Sequence, residues 1–395
     1  MGHSSPGLRA DRLFPTDSPV PEQMIGRSKD VKELALVLSQ GLNQVVGGPR
    51  RNGKTTVCQA ALEGLARQGA YVVEVDLFQL SDLAALARAI VAGLVANRSA
   101  PQRGARKVRL GAEKAVDFAS AVATAKLKTA WGPDIEIAFS PHLARDDPRG
   151  SFEKALSLLQ SVAERDGHDV ILFIDEFQKI ASPREPFGDA DSTTQLMRAV
   201  LQRSRGVTSL FAGSVAHLMR DLFDDEKRAF YKFGAWRELG PISTEEWLEG
   251  LSKRFQEGGR PITPTAMEYL VARSEGHPRT TMLLAQQCFI AVLETEAREA
   301  TYEHAILAFD MAMKADAGAL AKDIEAIQEL SRLAFAVCQA IARGQPPYKV
   351  GPSATVARAT EALRRAGYIE QFDTPGRGGW VVIEPLLRRR LAEMP

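Results

Sequence analysis

Cysteine is scarce and scattered. Cys58, Cys288 and Cys338 are the only three in 395 residues, and none forms a Cys-x-x-Cys pair. The six histidines are dispersed as well, so the paired spacing of a structural zinc site is missing. Each cysteine falls in an apolar helical pattern, where a reduced thiol acts as a small core residue. Long apolar runs are missing too. No stretch approaches the roughly 18 consecutive apolar residues of a membrane helix, and the N-terminal "MGHSSPGLRADRLFPTDSPVPEQ" lacks the apolar core of a signal peptide. Nor is there an excess of one charge. Fifty basic and 49 acidic residues leave +1, so no whole-chain field draws the protein to nucleic acid, and any such affinity is local. These absences predict a soluble, reduced, cytoplasmic protein with no membrane partner.

What is present is an ordinary globular composition, 45% hydrophobic and 25% charged, in a chain long enough for two or three domains. Residues 1–21 are rich in Pro, Ser and charge and read as a loose lead-in. From 22 to 242 strands and helices alternate. "NQVVGG", "AYVVEVDL", "DVILFID", "VTSLFAGS" and "WRELGPI" read as strands, separated by helical patterns such as "TTVCQAALEGLARQG". That alternation predicts a parallel α/β sheet covered on both faces. The continuous apolar runs in "VILFI" and "YVVEV" fit strands buried on both sides. Residues 98–140 read as a basic insertion in this domain. Over 98–128 there are eight basic residues against Glu113 and Asp117. They form either a phosphate-tracking surface or a solvated insertion. The stretch "DIEIAFS" after them alternates like an edge strand. From 243 to 318 the pattern is helical only, with capping-box signatures at Ser243/Glu246 and Thr301/His304.

Residues 48–55 read "GPRRNGKT", the pattern G-x-x-x-x-G-K-[ST], directly between a strand and a helix. That context makes it a P-loop. Glycines let backbone N–H groups curl around phosphate oxygens, and the helix N-terminus adds partial positive charge. Gly48, Pro49, Arg50, Arg51, Asn52, Gly53, Lys54, Thr55 and Thr56 are therefore the candidate nucleotide contacts. Lys54 would reach the β/γ-phosphates and Thr55 the Mg²⁺ ion. "VILFIDEFQKI" ends a strand in two adjacent carboxylates about 120 residues downstream. Asp175 is suited to the metal, mainly through water, and Glu176 to the general base that polarises the attacking water. Both acids together favour hydrolysis over mere binding.

"GPRRNGKTT", "LFIDEFQ", "FAGS" and "SEGHPR", in this order, resemble the STAND class of P-loop ATPases. The likeness is to the archaeal-type ATPase group, which itself is similar to origin-recognition AAA+ proteins. It covers about residues 22–310 and implies Mg·ATP as cofactor with ATP preferred over GTP. The upstream "MIGRSKDVKEL" resembles the motif that lies against the adenine, which implies that Ile25, Gly26 and Arg27 border the base. The resemblance also implies that Ser214 is the polar sensor near the γ-phosphate and Arg279 the arginine on a helical lid. Read without it, Ser214 caps the next helix, Arg279 is a surface charge, and His277 is a structural helix-start residue. Relatives often carry an arginine before the last core strand. Here Ala235 stands there, leaving Arg228, Lys232 or Arg237 as substitutes.

Residues 319–395 resemble a winged helix: a helix over "IEAIQELSRLAFAVCQAIARG", a second over "PSATVARATEALRRAG", then the hairpin "YIEQFDTPGRGGWVVIEP". Between 340 and 395, nine basic and five acidic residues give +4. Arg358, Arg364 and Arg365 on the second helix and Arg377 at the hairpin tip are the candidate contacts to double-stranded DNA. The alternative is a STAND-type signalling or defence switch whose winged helix contacts protein and whose ATP state controls homo-oligomerisation.

Overall fold

The computed structural model describes residues 9–16, 21, 24–99, 146–181, 186–374 and 377–395. The expected basic insertion, from residue 100 onward, and the edge strand read at 134–140 lie outside them. By compactness the chain divides into two units: residues 29–48 with 57–239, and residues 1–28 with 49–56 and 240–395.

The first unit is built on five parallel strands, β1 (Gln44–Gly47), β2 (Tyr71–Asp76), β3 (Val170–Asp175), β4 (Val207–Ala212) and β5 (Ala235–Glu238), in the order β2-β3-β4-β1-β5. All pairings are parallel, with Asp76 beside Asp175 at the carboxyl ends of β2 and β3. Helices α1 (Ser28–Ser39), α2 (Lys54–Arg67), α3 (Leu83–Ser99), α4 (Pro148–Asp166), α5 (Ala190–Leu201) and α6 (Ala216–Phe223) supply the connections that parallel strands require. All six residues of β3 are buried, as its unbroken apolar run predicts. Leu86, Ile90 and Leu94 of α3 join Leu156 and Leu159 of α4 in the same core as Val73 and Leu172. Beyond the end of β3, Phe177 packs on Phe211 with ring centroids 4.6 Å apart. Phe223, Phe230 and Phe233 extend that aromatic cluster. An apolar anchor thus directly follows the two carboxylates and fixes where they emerge.

The second unit is helical: α7 (Thr244–Glu257), α8 (Pro264–Ser274), α9 (Pro278–Glu294), α10 (Tyr302–Ala315), α11 (Ala317–Leu330), α12 (Arg332–Ala342) and α13 (Ser353–Arg365). An antiparallel hairpin, β6 (Ile369–Thr374) and β7 (Arg377–Val382), and α14 (Pro385–Glu393) complete it. Both expected capping signatures form. Ser243 and Glu246 exchange bonds at 3.2 Å, and the Thr301 N–H donates to His304 Nδ1 at 3.1 Å. Among the described residues no helix is long and apolar enough to cross a membrane.

Two expectations need correction. The run "IEAIQELSRLAFAVCQAIARG" is two helices, not one. Ser331 is extended, at φ −179°, and its Oγ accepts from the Ala334 N–H at 2.9 Å, so its N-cap chemistry interrupts an otherwise helical pattern. Part of the presumed loose lead-in is packed. Ala10–Leu13 form a helical turn, and Phe14 is fully buried with its ring centroid 4.9 Å from Phe255 and 5.8 Å from Phe289. The Arg254 guanidinium donates to the Leu13 carbonyl, and Gln286 Nε2 donates to the Phe14 carbonyl at 3.1 Å. A Leu-Phe pair is enough to anchor a segment whose surroundings are polar.

Candidate active site

In the second unit, the loop after Gly48 turns through left-handed backbone at Arg51 (φ +61°) and Gly53 (φ +80°) and enters α2 at Lys54. Glycine adopts that conformation without strain, which is why the pattern requires it before the lysine. Lys54 is only 5% exposed, and its ammonium donates to the loop's own Pro49 carbonyl at 2.5 Å. The cation is therefore held over the loop. Thr55 and Thr56 are the next residues of α2, at the N-terminus where the helix dipole favours an anion.

The segment expected at the base adjoins the loop. Ile25 is buried, and Gly26 and Arg27 are both left-handed, at φ +66° and +65°. Buried Arg27 donates Nη2 to Asn52 Oδ1 at 3.3 Å, so "IGR" is tied to the P-loop by a side-chain bond. His277 caps α9 and also touches the loop, with Nε2 3.4 Å from the Arg50 carbonyl. Burial pushes its pKa down to about 4, so the ring is neutral near pH 7. That is a structural role, as its helix-start position suggests. Arg279, the second residue of α9, makes a bidentate pair with buried Asp316 at 2.7 and 2.8 Å, so it is not a free surface charge.

The first unit carries the carboxylates. Asp175 ends β3 and is 7% exposed. Glu176 is left-handed at φ +53°, a conformation uncommon outside glycine, and its N–H donates to Asp175 Oδ1 at 2.9 Å. This kink sends the two adjacent side chains different ways. Glu176 Oε2 accepts from Ser214 Oγ at 2.9 Å and from Gln178 Nε2, and Gln178 Nε2 also reaches Ser214 Oγ at 3.2 Å. Ser214 therefore does not cap α6, whose N-cap Val215 has no side-chain bond. It orients the carboxylate instead. Gly213 makes room for this triangle, because a Cβ there would stand 2.5 Å from Gln178 Oε1. Gln178 was missed from sequence, although its place two residues after Glu176 was the available signal.

Of the three basic residues near β5, Arg228 pairs with Asp191 at 2.6 Å and Arg237 with Glu33 at 2.9 Å. Lys232 Nζ lies 4.8 Å from the Tyr231 ring centroid. On α13, Arg358 is exposed, whereas Glu361 bonds Arg364 at 2.8 and 2.9 Å and Arg365 at 2.8 Å. Those guanidiniums, Arg364 first, hold the Glu361 carboxyl down at about 2. Arg377 opens β7 opposite Thr374. Among the described residues no cluster of three or more His, Cys, Asp or Glu side chains could hold a metal alone.

Residues 23–215 match the AAA ATPase domain family. No curated protein matches the chain. Among solved structures it is similar to a Walker-type ATPase of Pyrococcus abyssi, at 16% identity over 96% of this chain and 99% of that one, with a TM-score of 0.65. It is also similar to the Aeropyrum pernix ORC2 protein solved in ADPNP–ADP complexes, at 16% identity, 96% and 95% coverage and a TM-score of 0.58. The Aeropyrum pernix ORC1 protein in complex with DNA follows, at 16% identity, 98% and 97% coverage and a TM-score of 0.50. At such identities the likeness shows the fold alone, that of P-loop NTPases of the AAA+ type.

Proposed function

We propose that this chain, with its AAA ATPase domain, is a Mg²⁺-dependent ATP-hydrolysing switch that couples nucleotide state to its C-terminal helices and hairpin. The observation that carries the reading is the division of labour at the end of β3. Asp175 is buried at the strand end, while Glu176 is turned away from it and oriented by Ser214 and Gln178. A nucleotide binder needs only the first acid; the second, separately oriented, is the group that takes a proton from water. Lys54 and the backbone of residues 48–55 would bind the β/γ-phosphates. The Thr55 hydroxyl and the Asp175 carboxylate are hard oxygen donors that suit Mg²⁺, which keeps several waters and takes few protein ligands. When bound, the ion supplies charge neutralisation between the phosphates. Glu176 orients the attacking water, and Ser214 keeps the carboxylate aimed. Arg279 is the proposed lid arginine, for which it must leave or share Asp316. Ile25, Gly26 and Arg27 would line the base. Phosphate release from ATP is expected with Mg²⁺ and is expected to vanish in EDTA, while release unaffected by EDTA contradicts the reading.

For the partner we propose duplex DNA, bound by a winged helix with α13 in the groove and Arg358, exposed on that helix, as its contact. The solved DNA complex of a similar fold and the net +4 over residues 340–395 support this. Glu361 favours the second reading, a STAND-type switch with a protein partner, because it neutralises Arg364 and Arg365 on the same helix. The two separate by salt. DNA affinity should fall by about 10-fold or more between 50 and 200 mM salt if several phosphates are contacted, and Arg358→Ala should flatten that slope. No binding of ATP-loaded protein to duplex DNA at low salt leaves the protein-partner reading.

A further inference from the structure

The variable positions of the P-loop, exposed Arg50 and half-buried Arg51, each touch a C-terminal element. Within the second unit they are held by the lid turn and the C-terminal elements. Arg51, left-handed at φ +61°, places its guanidinium 3.5 Å from the Asp323 carboxylate of α11. The aliphatic part of Arg50 lies against Gly367, where a Cβ would stand 3.6 Å from Arg50 Cδ. Arg50, Arg51, Asp323, Tyr368 and Glu384 line one small cavity.

The backbone of the loop is engaged through a continuous chain of bonds. His277 Nδ1 faces the Thr280 N–H, which leaves Nε2 as the protonated nitrogen that donates to the Arg50 carbonyl. The Thr280 hydroxyl donates to Glu384 Oε1 at 2.8 Å, and Glu384 Oε2 accepts the Leu387 N–H at 2.5 Å and so caps α14. Arg388 of α14 pairs with Glu275, at the turn before α9. The loop tip, the start of α9 and the start of α14 thus share one hydrogen-bonded path, and an ion pair to α11 runs beside it.

From this arrangement we infer that the C-terminal elements act as a latch on the P-loop and that nucleotide phosphate releases it. A phosphate in the loop attracts the Arg51 guanidinium and competes with Asp323 for it. Conversely, the Asp323 carboxylate, paired with the Arg51 guanidinium, withholds it from an incoming phosphate. Coupling between two sites is reciprocal, so what weakens the latch tightens nucleotide binding, and nucleotide weakens the latch. Residues 366–368 and 383–388 are then the output of the nucleotide site, whatever macromolecule they address. This inference rests on residues 48–55 being a nucleotide-phosphate site.

The test uses the full chain with ADP and ATP as probes. Asp323→Asn keeps the shape and removes the charge, and should tighten nucleotide binding by about 5-fold, the lower end of couplings between linked sites. In an Arg51→Ala background the same substitution should change nothing. Saturating ATP should speed amide exchange in 366–368 and 383–388 of the wild type but not of Lys54→Ala. Equal affinity of Asp323→Asn and a nucleotide-binding wild type overturns the latch, as does unchanged exchange with ATP bound. A wild type that binds no nucleotide overturns the P-loop reading itself, which is a separate outcome.

Discussion

Lys54→Ala is expected to lose nucleotide affinity by about 100-fold or more, measured by titration with a fluorescent ADP or ATP analogue. Truncating a buried, hydrogen-bonded charge costs about 2–5 kcal/mol, and 1.4 kcal/mol is about a factor of ten. Lys54 meets both conditions, being buried and donating to the Pro49 carbonyl at 2.5 Å. A triphosphate that enters the loop exchanges that carbonyl for anionic oxygens, and the charge-assisted bond is the stronger one. Removing the ammonium leaves the loop's backbone N–H groups and the α2 dipole, which alone contribute less. Lys54→Met, which keeps the aliphatic stem packed, should lose the same affinity while unfolding at the temperature of the wild type. If Lys54→Met bound ATP as tightly as the wild type, residues 48–55 would not be a phosphate site.

The fold was largely legible because its signals are local. A buried parallel strand needs an unbroken apolar run, and "VILFI" and "YVVEV" carry one. A P-loop needs glycines and a lysine at set positions between a strand and a helix, and residues 44–67 supply all of it. Adjacent carboxylates at a strand end stand out for the same reason. What the pattern left open depends on partners distant in sequence. Whether Ser214 caps a helix or orients Glu176 turns on the kink at Glu176, and a positive φ at a glutamate leaves no sequence trace. Arg279 looks like a free cation until α11 brings Asp316, 37 residues away, to its fork. Phe14 sits in a segment whose composition reads as loose, and the partners that bury it, Phe255 and Phe289, are more than 200 residues away in sequence. That Glu361, one turn before Arg364 and Arg365, interrupts the basic face is legible from spacing, and the structure pairs it with both.

Glu176→Gln is the variant that separates chemistry from binding. Glutamine has the size of glutamate, and its amide oxygen can accept the same bonds from Ser214 Oγ and Gln178 Nε2. The triangle and the fold should therefore survive. What is lost is the carboxylate's capacity to take a proton, a contribution of about 10²–10⁴-fold for a positioned general base. Binding should not weaken, since the role proposed for Glu176 is toward the attacking water rather than the nucleotide's anchored oxygens.

The most direct measurement is single-turnover phosphate release from Mg·ATP by wild type and Glu176→Gln, made alongside their ATP affinities. Equal affinity with release slowed by about 10²–10⁴-fold in the variant is the result expected of a switch whose hydrolysis runs through Glu176. Release at the wild-type rate in Glu176→Gln, with affinity intact, would contradict it.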